Sequence, residues 1–124
     1  MADILIVEDD PNNQRVLSYM LSKAGYKVRI AANGEDGLAA LSERSFDLAI
    51  VDYAMPVMDG LKMLQLVRAD AKLCNLPVII LTASGDDNAR LSAEKEGVSG
   101  FLTKPSSSRT VLLAVTHALD KQTK

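Results

Sequence analysis

Acidic side chains follow two apolar runs of this 124-residue sequence, at positions where a buried strand would end. The run ILIV is followed by Glu8, Asp9 and Asp10, and the run LAIV is followed by Asp52. Carboxylates that are crowded together repel one another, and a cation relieves that cost most simply. Oxygen ligands from one or two carboxylates, completed by water and phosphate, are typical surroundings of Mg²⁺. The sequence therefore predicts a magnesium site.

The three neighbouring acids have different expected roles. Asp10 precedes Pro11, and an N-cap Asp before a proline at the first helical position is a common helix start. Glu8 and Asp9 then remain for the ion. Because side chains alternate along a strand, we expect them to point to opposite sides, with Asp9 as a direct ligand and Glu8 acting mainly through water.

Two further polar residues, Thr82 and Lys104, end or closely follow apolar runs. Taken singly, Thr82 is typical of a strand former and Lys104 of a solvated surface cation, while Asp59 before Gly60 is typical of a helix cap. In an open parallel sheet, however, the functional crevice lies beyond the carboxyl ends of the strands. The placement of Asp52, Thr82 and Lys104 at the ends of different strands therefore favours one functional site.

Five short apolar runs predict the strands that position these residues. Their brevity and β-branched content are typical of strands, and continuous hydrophobicity in three of them indicates burial on both faces. The predicted strands are residues 4–7, 27–31, 48–51, 77–81 and 100–103.

Helical patterns lie between and after these runs. Apolar residues at three- and four-residue spacing, with start or stop signals, mark helices in residues 16–24, 34–41, 60–68, 86–96 and 111–119. The helix in residues 86–96 is expected to pack weakly, because its apolar face consists of Ala89, Leu91 and Ala93 only. Alternating strands and helices predict an α/β fold, with a parallel sheet, right-handed crossovers and helices on both faces.

The composition is that of one globular domain, expected to span residues 1–124. Hydrophobic residues make up 48% and charged residues 24% of the sequence, and the formal net charge is −2. This balance gives no basic surface for nucleic acid or a membrane, and no apolar stretch approaches the roughly 20 residues that span a bilayer. The lone Cys74 and the acidic N-terminal region favour a cytoplasmic location.

Four motifs, ILIVEDD, AIVDYAMPVMDG, VIILTAS and FLTKP, extend in this order over nearly the whole chain. Together they resemble the receiver domain of two-component response regulators, which includes the single-domain chemotaxis regulator. The resemblance implies a flavodoxin-like (βα)5 three-layer sandwich, doubly wound around a five-stranded parallel sheet. The implied strand order is 2-1-3-4-5, as in that chemotaxis regulator.

The resemblance also implies a phosphorylation site that uses Mg²⁺. It assigns Asp52 as the phosphoacceptor, and it assigns Asp9, Asp52 and the backbone carbonyl of Ala54 to the metal, with Glu8 in support. A sensor histidine kinase or a phosphotransfer protein would supply the phosphoryl group from a phosphohistidine, and self-catalysed hydrolysis would remove it. Such a domain is a signalling switch that assists its own phosphorylation, and it is not a turnover enzyme.

The same resemblance implies how the switch is transmitted. Thr82 and Lys104 would contact the phosphoryl oxygens, and a cis peptide between Lys104 and Pro105 would hold the lysine in reach. Thr82 would move toward the phosphoryl group, and Phe101 would turn inward into the space it leaves; Phe101 is otherwise read as a core aromatic. The output face would comprise the fourth helix, fifth strand and fifth helix, and would act on an unknown downstream effector. The protein is expected to be a monomer or a phosphorylation-dependent homodimer.

Several residues depart from the family pattern or leave alternatives open. Ser106 stands where many relatives have a large apolar residue, and Ala54 and Ser84 are small enough for water to approach an acyl phosphate. A phosphatase of the haloacid dehalogenase type would need an acid in place of Ala54, and the glycine motifs of nucleotide-binding modules do not occur. The main alternative is a docking domain without phosphorylation. His117 is expected to be a surface residue of the last helix and not a phosphohistidine.

Overall fold

Five strands and five helices alternate along the chain in the computed structural model, which describes residues 2–55, 58–83, 87–104 and 107–122. The strands are β1 (Asp3–Val7), β2 (Lys27–Ala31), β3 (Leu48–Asp52), β4 (Val78–Ala83) and β5 (Gly100–Lys104). The helices are α1 (Pro11–Lys23), α2 (Gly34–Glu43), α3 (Gly60–Ala69), α4 (Asp87–Lys95) and α5 (Ser108–Gln122). All predicted elements are therefore present, with ends shifted by five residues at most.

The strands form one parallel sheet in the order β2-β1-β3-β4-β5, which confirms the predicted fold class and strand order. Every residue of the central strand β3 is buried, as its continuous hydrophobic sequence predicts. Asp52 is the last residue of β3 and pairs with Leu81 of β4. The register thus brings Asp52 to the carboxyl edge of the sheet, beside the end of β1.

The core has two layers, one on each face of the sheet, because successive strand residues point to opposite faces. The first layer joins Leu5, Val7, Ala49, Val51, Val78 and Ile80 of the sheet to buried residues of α2, α3 and α4. The second layer joins Ile4, Ile6, Leu48, Ile50, Ile79 and Leu81 to buried residues of α1 and α5. Covered on both faces, the central strands hold their carboxyl ends rigidly in place.

Polar side chains begin the helices next to the sheet edge. Asp10 is the N-cap of α1, with Pro11 as the first helical residue, and its carboxylate accepts from the Asn13 N–H at 3.3 Å. Asp59 is the N-cap of α3 and accepts from the Lys62 N–H at 2.8 Å. Both caps confirm the sequence predictions. They also assign these two acids to helix starts, which leaves the other acids at the sheet edge for chemistry.

The helix α4 packs on a smaller face than its sequence predicts. Ala89 and Ala93 are buried, but Leu91 is 58% exposed. Residues two positions apart on an α-helix lie about 200° apart around its axis, so Leu91 points away from the face that its two neighbours bury. The predicted weak packing is therefore more pronounced, since Ala89 and Ala93 are the buried residues among the described side chains of this helix. Among the described residues, no helix combines the length and apolar character that crossing a membrane requires.

Candidate functional site

Three carboxylates converge at the carboxyl edge of the sheet. Glu8 follows β1 directly, Asp9 comes next, and Asp52 ends β3. Each offers an oxygen atom, and these three atoms lie within 4.8 Å of one another. Glu8 and Asp52 are only 1% and 4% exposed, whereas Asp9 is exposed. β1 ends at Val7, so strand alternation need not extend to these residues, and the expectation that Glu8 and Asp9 point to opposite sides stays a prediction.

The ammonium group of Lys104 joins two of these carboxylates. Its Nζ atom donates to Asp52 Oδ1 at 2.8 Å and to Glu8 Oε1 at 3.0 Å. Lys104 reaches them from the end of β5, across β4, and its side chain is 28% exposed. The structure therefore places Lys104 in the predicted site, already paired with the acid expected to receive a phosphoryl group.

The pKa values of Glu8 and Lys104 reflect the crowding of charged groups in this cluster. Burial raises the pKa of the Glu8 carboxyl, and the nearby Asp52 charge raises it further, against the hydrogen bonds from Lys104 and from the Asp10 backbone. Burial lowers the pKa of the Lys104 ammonium, but its bonds to Asp52 and Glu8 outweigh that effect and raise it overall. With all groups ionised, three carboxylates and one ammonium carry a formal charge of −2.

This donor set fits a hard divalent cation. All three side chains provide carboxylate oxygens, the ligands that Mg²⁺ prefers, and one of them faces solvent from which water ligands can come. A dication would also balance the residual charge of the cluster. The arrangement thus agrees with the predicted metal site, and the oxygen atoms of both Glu8 and Asp9 lie within 4.8 Å of that of Asp52.

Backbone and side-chain hydrogen bonds fasten Glu8 in this position. Its carboxylate accepts from the Asp10 N–H at 3.2 Å, its own N–H donates to the Ala31 carbonyl at 3.0 Å, and its carbonyl accepts from Gln14 Nε2 at 2.6 Å. Sequence reasoning did not identify Gln14. Nothing in the local pattern marks it, since its contact depends on how α1 turns back over the end of β1.

The other predicted site residues lie around the acids. Thr82 is 3% exposed and pairs with Thr103, one register step beyond Asp52. Ala54 is exposed, two residues after Asp52. Phe101 is half-buried against the core layer under α4, and the guanidinium carbon of Arg90 lies 5.6 Å from its ring centroid. This partly buried ring is compatible with either the core role or the switch role.

Some sequence predictions concern other places in the chain. His117 is exposed on α5, as expected of a surface residue. The hydroxyl of Ser107 accepts from the Thr110 N–H at 3.2 Å, so a serine does cap the last helix. The expectations for the cis peptide at Pro105, for Ser106 and for Ser84 lie outside the described residues.

Comparison with known proteins supports the family that the sequence motifs indicate. The family of response regulator receiver domains matches residues 4–116. PilH of Pseudomonas aeruginosa is 34% identical over 119 residues, which cover 96% of this chain and 98% of PilH. The transcriptional regulatory protein GltR of the same organism is 37% identical over 112 residues, 90% of this chain but only 46% of GltR.

A solved structure is also closely similar. The chemotaxis protein CheY4 of Vibrio cholerae superposes with a TM-score of 0.90 at 32% sequence identity, covering 96% of this chain and 99% of that protein. The family match at residues 4–116 includes the acidic edge of the sheet. The chain therefore belongs to the response regulator receiver domain family, the phosphoacceptor signalling domains of two-component systems.

Proposed function

We propose that Asp52 accepts a phosphoryl group and that this protein works as a phosphorylation-activated switch. The observation that carries the proposal is the position of the Asp52 carboxylate, which is 4% exposed, accepts a hydrogen bond from the Lys104 ammonium and lies within 4.8 Å of oxygen atoms of Glu8 and Asp9. A carboxylate needs no general base to act as a nucleophile. It does need positive charge nearby, because an anion must attack an anionic phosphoryl group.

The proposed reaction exchanges one bond to phosphorus for another. An oxygen of Asp52 forms a bond to the phosphorus of a phosphohistidine, and the bond from phosphorus to the histidine nitrogen breaks, leaving a neutral histidine after protonation. Mg²⁺ would supply charge neutralisation of the phosphoryl oxygens. Glu8, Asp9, Asp52 and the Ala54 carbonyl would hold the metal, while Lys104 and Thr82 would bind the phosphoryl oxygens.

Lys104 is the residue whose bonds must change in this scheme. It now donates to Asp52 and Glu8, so on phosphorylation one of these bonds would be replaced by a bond to a phosphoryl oxygen. A charge-assisted hydrogen bond contributes about 1.5–3 kcal/mol, and reversing a 1:99 equilibrium takes about 5.5 kcal/mol. Because the Lys104 bond is an exchange, the new bond from Thr82 would be the net gain, and it would supply about a quarter to a half of the energy that the switch needs.

The structural change that follows phosphorylation would reach the surface through β4 and β5. Thr82 and Phe101 lie on neighbouring strands, and the buried residues among the described side chains of α4 are the two alanines Ala89 and Ala93. Inward rotation of Phe101 would remove its ring from beneath Arg90. The face formed by α4, β5 and α5 would then differ between the two states, and a downstream effector would bind one of them.

The partners follow from the same chemistry. The phosphoryl donor would be a sensor histidine kinase or a phosphotransfer protein, or, more slowly, a small acyl phosphate. Removal would be self-catalysed: water attacks the phosphorus, the bond to Asp52 breaks, and inorganic phosphate leaves. Whether the phosphorylated form is a monomer or a homodimer is a separate question that sedimentation with and without beryllofluoride answers.

Acetyl phosphate tests the proposal directly. With Mg²⁺ present, the wild-type protein should gain the mass of one phosphate, bound in an acid-stable and base-labile form, and Asp52→Asn should gain none. Beryllofluoride should bind the wild type only. A wild type that gains no phosphate, or gains it equally in Asp52→Asn, would refute the proposal in favour of a docking domain that does not use phosphorylation.

A further inference from the structure

Gly60 brings the first residue of α3 into direct contact with the peptide that carries Asp52. A Cβ atom placed on Gly60 would lie 2.6 Å from the Asp52 carbonyl oxygen and 2.9 Å from the Cα atom of Tyr53. Carbon atoms in contact normally stay about 3.5–4.0 Å apart. Only a residue without a side chain fits at this position, and the atoms that it faces are backbone atoms that cannot rotate away.

The close approach of the Asp52–Tyr53 peptide, and not the backbone conformation of residue 60, explains why this position is a glycine. Positive φ angles occur among the described glycines at Gly25 (99°) and Gly97 (83°), and Gly60 is not one of them. An L-amino acid could therefore adopt the backbone conformation of Gly60. What excludes one is the space that the Asp52–Tyr53 peptide occupies.

Two backbone hydrogen bonds of Tyr53 hold the chain segment that follows Asp52 from opposite sides. The Gly60 N–H donates to the Tyr53 carbonyl at 2.8 Å, and the Tyr53 N–H donates to the Leu81 carbonyl at 2.7 Å. The backbone just after Asp52 is thus held between α3 and β4. Its position sets both the direction of the Asp52 side chain and the starting point of the chain that leads to Ala54.

We propose that Gly60 is a positioning residue for the phosphoacceptor site, an inference that rests on the proposed function of Asp52. By allowing α3 to pack directly on the Asp52–Tyr53 peptide, it places the Asp52 carboxylate against Lys104 and the other acids. An added methyl group would displace this peptide by several tenths of an ångström. Metal-binding and catalytic groups tolerate about 0.5 Å of displacement before function falls, so even this small change should weaken Mg²⁺ binding.

The test compares Gly60→Ala with Gly34→Ala. Gly34 is a matched control because it also follows an N-cap and begins a helix, and a Cβ atom there would lie 2.8 Å from Met58 Sδ. Its crowding is against the Sδ, Cγ and Cβ atoms of the Met58 side chain, at 2.8, 3.0 and 3.1 Å, and not against the backbone of Asp52. Both variants should lose stability, which urea unfolding measures, but only Gly60→Ala should lose metal affinity.

Isothermal titration with Mg²⁺ alone gives the deciding result. We expect the Kd of Gly60→Ala to rise about tenfold over that of Gly34→Ala. A difference below threefold would overturn the inference while leaving the proposed function intact. A wild-type protein that binds no Mg²⁺ would instead refute the proposed function, and this inference with it.

Hydrogen exchange on the wild-type protein decides the question if Gly60→Ala does not fold. Mg²⁺ should slow exchange of the Gly60 amide by more than it slows that of the Gly37 amide, which is bonded to the Asn33 carbonyl at 2.9 Å and reports the stability of α2. Equal slowing of the two amides would contradict a specific link between Gly60 and the metal site.

Discussion

Replacing Asp52 by asparagine should stabilise the metal-free protein, although most single substitutions destabilise the protein that carries them. The change removes one of three negative charges that lie within 4.8 Å of one another. It preserves the shape of the side chain and an oxygen that can still accept the hydrogen bond from Lys104. The expected sign is therefore opposite to the usual one, which makes the prediction easy to refute.

The distances in the site set the size of the effect. At an effective dielectric constant of about 20, two unit charges 4.8 Å apart repel by about 3.5 kcal/mol. Asp52 meets two such charges, from Glu8 and Asp9, and one attraction of about 6 kcal/mol to Lys104 at 2.8 Å. A net repulsion of about 1 kcal/mol remains, and the buried neutral amide avoids the desolvation cost of a carboxylate.

The free energy of unfolding should therefore rise by about 1–3 kcal/mol without metal, and the melting temperature by roughly 4 °C per kcal/mol in a domain of this size. Urea unfolding measures the free energy and thermal unfolding measures the melting temperature, each with and without Mg²⁺. The wild type should gain about 2.7 kcal/mol when Mg²⁺ is present at 100 times its Kd, and Asp52→Asn should gain much less. The stability difference between the two proteins should then narrow or reverse.

Asp59→Asn is the matched control, because Asp59 is exposed and caps α3, a role that asparagine fills as well as aspartate. It should change neither the stability nor the response to Mg²⁺ by more than about 0.5 kcal/mol. If Asp52→Asn proved less stable than the wild type without metal, or responded to Mg²⁺ as strongly, carboxylate repulsion would not be the main force in this site.

Three more predictions concern the same cluster. Lys104→Met should lower the metal-free unfolding free energy by about 3–5 kcal/mol, because it leaves two buried carboxylates without their ammonium partner. Mg²⁺ should restore much of this loss in urea titrations. An equal loss in the control variant Lys62→Met, at an exposed lysine, would show the effect to be nonspecific. The raised pKa of Glu8 means that the folded protein binds more protons than the unfolded chain near this pH. The metal-free unfolding free energy should therefore fall as pH rises from 4.5 through the raised pKa, and Glu8→Gln should flatten this dependence of stability on pH. Ala54→Asn should shorten the half-life of the phosphorylated form severalfold, because its amide can orient a water, and an unchanged half-life would exclude this role.

Local chemistry made the fold predictable. Asp10 and Asp59 were recognised as caps because capping needs only the residues that follow in the chain, and β3 was recognised because its four residues before Asp52 are apolar. Its parallel pairing follows from alternation with helices. The meeting of Glu8 and Asp52 at one edge then follows from parallel strands, without any long-range information.

Contacts that depend on exact tertiary geometry were not predictable from residue patterns. Lys104 is 96 residues from Glu8 and 52 from Asp52, so its pairing with both could not be read from local spacing. The reach of Gln14 to the Glu8 carbonyl and the 2.6 Å approach at Gly60 are likewise set by how helices lie on the sheet. The exposure of Leu91 was missed because apolar type was counted without its angle around the helix.

The contact that α4 makes with the core through Ala89 and Ala93 has an energetic consequence for signalling. Burial of a methyl group stabilises by about 0.8 kcal/mol, so sliding this helix across the sheet would uncover little apolar area at Ala89 and Ala93. Small side chains also form no deep ridges that would lock the helix in one register. If the proposed function holds, the surface beside β5 is therefore inexpensive to rearrange when Thr82 and Lys104 bind a phosphoryl group.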